Sequence, residues 1–165
     1  MDSFGSALGV HRLAMTTGKE TYVVLGGYNE TMTDMVADAK ETGDYNFISE
    51  EKALALVDEK SMVVVVDTHR PMLVESAKLI SRIERLVVID HHRRAEDAFA
   101  DQTLSYMESY ASSASELVTE ILQYMVDKKE VTKMEADALL AGIMLDTNRF
   151  AVKAGVRTFE AASWL

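Results

Sequence analysis

Short apolar runs alternate with amphipathic segments along this chain, the order expected of an α/β domain. Ser3–Thr17 sets Phe4, Ala7, Leu8 and His11 near helical spacing and closes at Gly18, which predicts a helix. Thr21–Leu25 is strand-like and ends at Gly26-Gly27. Glu30–Thr42 predicts a helix stopped by Gly43, Phe47–Ile48 a short strand and Glu50–Val57 a short helix. Two stronger runs follow. Ser61–Val66 leads straight into Asp67-Thr68-His69-Arg70-Pro71, and Leu86–Ile89 leads straight into Asp90-His91-His92. Continuous β-branched runs of this length suit strands covered on both faces, as in a parallel sheet. Met72–Ile83 between them is the expected crossover helix, Leu104–Tyr106 a further strand, and Ser112–Lys128 and Thr132–Leu145 two more helices. Ala111-Ser112-Ser113-Ala114-Ser115 supplies N-caps for the first of these. Thr158–Leu165 reads as a last, short helix. The fold class predicted is therefore α/β, a mainly parallel sheet flanked by helices.

Composition narrows the class. With 165 residues, 48% of them apolar, the chain is large enough to bury a core. The absence of cysteine removes disulfide scaffolds, thiolate zinc sites and cysteine nucleophiles, and fits a reducing compartment. Its longest apolar run, Met62–Val66, falls far short of the roughly 20 residues a membrane helix needs, so no membrane contact by this chain is expected. A formal charge of −10 repels nucleic-acid backbones, so no long nucleic acid is expected as a partner. Small phosphates stay open, because bound cations invert the local field.

The two strong strands each deliver an acidic residue and a histidine to the sheet edge where open α/β folds bind ligands. These are Asp67 and His69 from one, and Asp90, His91 and His92 from the other. Neighbouring strands lie about 4.8 Å apart, so the groups can converge. Crowded carboxylates repel one another unless a cation neutralises them. A carboxylate and imidazole set without thiolate suits Mn²⁺, Fe²⁺ or Zn²⁺ better than Ca²⁺. Asp2 at the start of the chain and Asp146 after Ala141–Leu145 fit the same cluster. Plainer roles compete. Strand-end aspartates also cap helices, a His-His pair also serves as polar surface, and Arg93-Arg94 is either solvated surface or a phosphate contact. His11, between apolar neighbours, reads as structural.

Asp90-His91-His92 after an apolar strand is the motif that names the DHH phosphoesterase superfamily. Asp2–Ala7 resembles the end of that family's first motif and Val66–Pro71 its second; Ala111–Glu120 and Gly142–Phe150 resemble later blocks. The wording DTHRP, IDHHRR and ASSASELVTE is most similar to the catalytic domain of membrane-anchored cyclic-di-AMP phosphodiesterases. The resemblance implies two Mn²⁺ ions bridged by Asp67, with Asp2, His91 and Asp146 completing one ion's ligands. It implies that His92 faces the phosphate beside Arg93, while Asp90 buttresses the histidines. A histidine and an aspartate of the first motif, the strand before it and the family's smaller associated domain have no counterpart in residues 1–165. The expectation is a partial domain with its first strand missing, weakly active or inactive alone. The parent implied is a cytoplasmic-facing hydrolase of a cyclic dinucleotide, able to pair as a homodimer. Oligoribonuclease, adenosine-bisphosphate phosphatase and pyrophosphatase activities remain open alternatives, as does a non-catalytic nucleotide-sensing or dimerisation module.

Overall fold

A computed structural model describes residues 1–28 and 30–165. In chain order the elements are α1 (Asp2–Thr16), β1 (Val23–Val24), α2 (Glu30–Thr42), β2 (Phe47–Ile48), α3 (Glu50–Leu56), β3 (Met62–Val66), α4 (Ala77–Ile80), β4 (Arg85–Asp90), β5 (Leu104–Met107), α5 (Ala114–Met125), α6 (Lys133–Asp146) and α7 (Val156–Trp164). β3, β4 and β5 form a parallel sheet in that order, and β1 pairs with β2 in a second parallel sheet. The predicted mixture of parallel sheet and flanking helices is present.

The period of two along a strand explains why the β-branched runs are continuous. Leu86 and Val88 of β4 face one side, where they pack with Val63, Val65 and Phe99. Val87 and Ile89 face the other, against Leu117, Val118 and Leu122 of α5. Both faces are covered, so both parities are apolar.

The helical layer depends on glycine at its crossings. A Cβ on Gly5 of α1 would collide with the Ala138 carbonyl of α6, and one on Gly9 would stand 2.5 Å from Val118 Cγ1 of α5. Without side chains at these points α1 lies tight against both helices. Glu135, fully buried in the first turn of α6, locks the arrangement by accepting from Arg12 Nε, Tyr45 Oη and the Thr132 backbone N–H.

Three elements differ from expectation. Met72–Ile83 is no continuous helix: a 3₁₀ turn at Pro71–Leu73 gives way to extended Val74 and Ser76 before the four-residue α4. Ser76 stops the first turn from propagating, because its hydroxyl accepts from Leu79 N (3.0 Å) as an N-cap. The helix expected over Ser112–Lys128 starts at Ala114, since Ser113 caps it through Glu116 N, and ends at extended Val126. Of Thr21–Leu25 only Val23–Val24 pairs as strand.

Candidate metal centre

β3 and β4 run in register, Val66 opposite Ile89, so Asp67 and Asp90 leave the sheet side by side. Asp67 takes a left-handed conformation, φ 62°, while its N–H still donates to the Ile89 carbonyl at 2.9 Å. A non-glycine residue held there stores roughly 1–3 kcal/mol of strain, and the chain turns sharply as the ladder ends. Strand parity then sorts the next residues. Asp90 shares the side of Leu86 and Val88, whereas His91 falls on the α5 side.

Two helix ends complete the cluster. Asp2 lies in the first turn of α1, and its carboxylate meets the start of α5, accepting from Ala114 N at 2.6 Å and Ser115 N at 2.7 Å. These are orphan donors of a helix N-terminus, which favours a negative charge. Asp146 is the last residue of α6. His91 Nε2 lies 3.1 Å from Asp146 Oδ2, 3.5 Å from Asp67 Oδ1 and 3.7 Å from Asp2 Oδ2. It is buried and has no hydrogen-bond partner. Asp2, Asp67 and Asp146 thus gather around His91, which two overlapping clusters share: Asp2, His91 and Asp146 in one, Asp67, Asp90, His91 and His92 in the other.

The electrostatics explain what the volume suits. Burial, then the neighbouring Asp67 charge, push the Asp2 carboxyl up to about 6 against the Ser115 hydrogen bond. Burial disfavours the His91 cation, but Asp146, Asp67 and Asp2 outweigh it and push the imidazole up to about 10. A proton on His91 would, among the described residues, be the one positive charge beside all three carboxylates. A divalent cation answers the same demand with twice the charge and can coordinate the unpartnered Nε2. The oxygen-rich set with one imidazole fits Mn²⁺, Fe²⁺ or Zn²⁺.

Asp90 has a different job. It is fully buried and accepts from His69 Nδ1, from His92 Nδ1 at 2.7 Å and from the His92 N–H at 3.2 Å. Burial pushes its carboxyl up, but the His69 bond and then the His92 bonds outweigh this and hold it below the usual carboxylate range. The far nitrogen of His69 accepts from Ala95 N at 2.9 Å, which assigns the Nδ1–H tautomer. His92 is thereby turned with Nε2 toward solvent. Asp90 lies within reach of Asp67, His91 and His92, yet its oxygens are already engaged by two imidazoles. The sequence placed His69 near the cluster but gave no sign of this bond, because its partner lies across the sheet.

A cleft of about 570 Å³ opens from the cluster, lined by His91, His92, Arg93, Tyr110 and Lys153 among others. Arg93 is one of its lining residues, and Arg94 is exposed. Tyr110 and Lys153 lie in loops whose sequence carries no periodicity or motif. His11 sits outside the cluster, buried on α1 with its ring edge-on to Tyr45, 5.3 Å between centroids, and neither nitrogen bonded.

Comparison with known proteins identifies the family. The profile described as DHH family, N-terminal domain, matches residues 1–143. The whole chain aligns at 41% identity with the cyclic-di-AMP phosphodiesterase GdpP of Bacillus subtilis, and at 41% with the cyclic-di-AMP phosphodiesterase PdeA of Listeria monocytogenes. It spans about a quarter (26%) of the length of each. Among solved structures, an exopolyphosphatase-related protein of Bacteroides fragilis superposes with a TM-score of 0.79 at 22% identity. That match covers 99% of this chain and 48% of the other.

Proposed function

We propose that this chain, which belongs to the DHH family, is the catalytic part of a phosphodiesterase that opens cyclic-di-AMP to the linear dinucleotide, with Mn²⁺ as its ion. The observation that carries this reading is His91 Nε2, buried and unpartnered, with carboxylate oxygens of Asp146, Asp67 and Asp2 at 3.1–3.7 Å. The names of the two curated relatives supply the substrate.

Asp2, Asp67, His91 and Asp146 would hold the ion. When bound, it supplies Lewis acidity toward a phosphoryl oxygen and a water. The chain does the rest by positioning. Asp90 fixes His92 through Nδ1, so Nε2 is presented to a phosphate oxygen in the cleft, where it donates or receives a proton. Arg93, exposed at the cleft wall, offsets the charge that gathers on that phosphate. The strained turn at Asp67 aims its carboxylate between the two strands and the helix ends, so the ligands need little rearrangement. The reading carries with it a cytoplasmic catalytic region in a membrane-anchored, homodimeric parent. Within the described residues no helix is long and apolar enough to cross a membrane.

Two measurements test the proposal together. Titrating Mn²⁺ into the chain and following the free-ion paramagnetic resonance signal should show binding that His91→Ala weakens by at least tenfold. The longer protein containing this chain, loaded with Mn²⁺ and offered cyclic-di-AMP, pyrophosphate and a short oligoribonucleotide, should convert cyclic-di-AMP fastest and yield the linear dinucleotide. Mn²⁺ binding indifferent to His91, or faster turnover of pyrophosphate, would overturn it.

A further inference from the structure

We infer that Tyr110 and Lys153 form a nucleotide subsite beside the metal cluster, Tyr110 stacking on a nucleobase while Lys153, with Arg93, takes the phosphate charge. The inference rests on the phosphodiesterase reading above and adds a base-recognising wall to it.

The first observation is Tyr110 itself. Its residue surface is 93% exposed, so the ring packs against almost nothing. What distinguishes it is place, since the ring lines the cleft beside His91 and His92. Its backbone, by contrast, is held. Tyr110 N donates to Glu108 Oε1 at 3.1 Å, and Ala111 N donates to the Glu108 carbonyl at 3.1 Å. Directly after it, Ala111, Ser112 and Ser113 are buried under the start of α5. A flat ring on an anchored turn loses little freedom when a second flat ring lies on it, which is what base stacking needs.

The second observation is the charge around the ring. Most of the 17 basic residues have no described carboxylate partner, so it is position on the cleft that sets two of them apart. Arg70, Arg157, Lys129 and Lys133 all sit in ion pairs. Arg93 and Lys153 line the cleft with His91, His92 and Tyr110, and neither pairs with a described carboxylate. Lys153 also stands in the left-handed region, φ 54°, at the end of a loop pinned by Arg149 N to the Met144 carbonyl (2.7 Å) and Val152 N to the Thr147 carbonyl (2.9 Å). Two unpaired cations and a bare aromatic ring, next to a cluster suited to a phosphoryl-binding ion, match an anion that carries a planar base. Inorganic phosphate or pyrophosphate would use the cations and leave the ring unused.

The test compares adenosine 5′-monophosphate with inorganic phosphate as ligands of the Mn²⁺-loaded chain, by titration calorimetry. The wild type should bind the nucleotide more tightly, by roughly 5- to 150-fold if one base stacks on one ring. Tyr110→Ala should erase that preference while leaving phosphate affinity unchanged, and Tyr110→Phe should restore it. Lys153→Gln should weaken both ligands and flatten the salt dependence of binding. Tyr110 is exposed, so none of these changes should move the melting temperature. A wild type that binds phosphate but gains nothing from the base, or a Tyr110→Ala variant that keeps its preference, overturns this subsite alone. A wild type that binds neither ligand overturns the phosphodiesterase reading and the subsite with it.

Discussion

Gly142 of α6 abuts Asp2 of α1: a Cβ on the glycine would stand 3.0 Å from the Asp2 Cα and 3.0 Å from its Oδ1. The same Cβ would collide with the Ser115 hydroxyl, so the glycine sits where three helices meet at the metal cluster. One methyl group there pushes on a ligand, a helix start and a helix–helix contact at once.

Gly142→Ala should therefore cost about 1–3 kcal/mol of stability through overpacking, although alanine is the better helix former. Because Asp2 is displaced, Mn²⁺ affinity should fall by roughly 10- to 100-fold, as when groups supporting a ligand are lost. Urea unfolding and metal titration on the same variant check both. Unchanged affinity would show that Asp2 is not held by this contact.

Asp67 separates stability from binding. Glycine adopts φ 62° without strain, so Asp67→Gly should leave the metal-free chain equally stable or up to about 1 kcal/mol more stable. It should also remove most of the Mn²⁺ affinity. Asp67→Asn keeps a side chain that tolerates the left-handed region and should match the loss of affinity without the gain in stability. Thermal melts with and without Mn²⁺ distinguish these outcomes.

His69→Phe leaves the fully buried Asp90 with His92 alone. Removing that partner should destabilise the fold by about 1–3 kcal/mol, since Asp90 keeps its burial and loses its strongest donor. The bonds of His69 go to Asp90 and Ala95 rather than to His91 or its three carboxylates, so Mn²⁺ affinity should change by no more than a few-fold. Hydrolysis by the longer protein should drop well beyond that, because His92 loses its orientation. Equal losses in binding and turnover would argue against this division of labour.

Acid should release the pair that ties α7 to α5. Arg157 donates from Nε and Nη2 to Glu120, both at 2.6 Å. That hydrogen bond outweighs burial and holds the Glu120 carboxyl below its ordinary value. A depressed carboxylate stabilises the fold above its unfolded pKa, near 4.3, and the benefit disappears as pH falls through the lower folded value. Both side chains are partly solvated, so the pair should be worth only about 0.5–1 kcal/mol. Melts of wild type and Glu120→Gln should differ at pH 7 and converge at pH 3.

The sequence made the strands and their cargo readable for a physical reason. SMVVVV and LVVI are apolar at both parities because helices cover both faces, and each run stops abruptly at an acidic residue. The expected ligands came from position: Asp67 at one stop, His91 just past the other, and Asp2 and Asp146 at helix ends. The stretch 72–83 misled because Met72, Ile80 and Ile83 mimic helical spacing, whereas Pro71 and the Ser76 cap break the segment into separate turns. The His69–Asp90 bond, 21 residues apart, depends on strand register, which no local pattern encodes. Tyr110 and Lys153 are single loop residues 43 apart in sequence, and only the fold brings both to the cleft.

Asp2 serves two masters, since the carboxylate beside His91 also receives the first amides of α5 while its own helix lies against α6. An ion seated there would act as a rivet through three helices, and filling it should be felt by the whole layer as added resistance to heat. Linkage sets the size: an ion at 100 times its Kd adds about 2.7 kcal/mol. A plain melting curve thus becomes a gauge of occupancy, usable with any divalent ion and without any substrate.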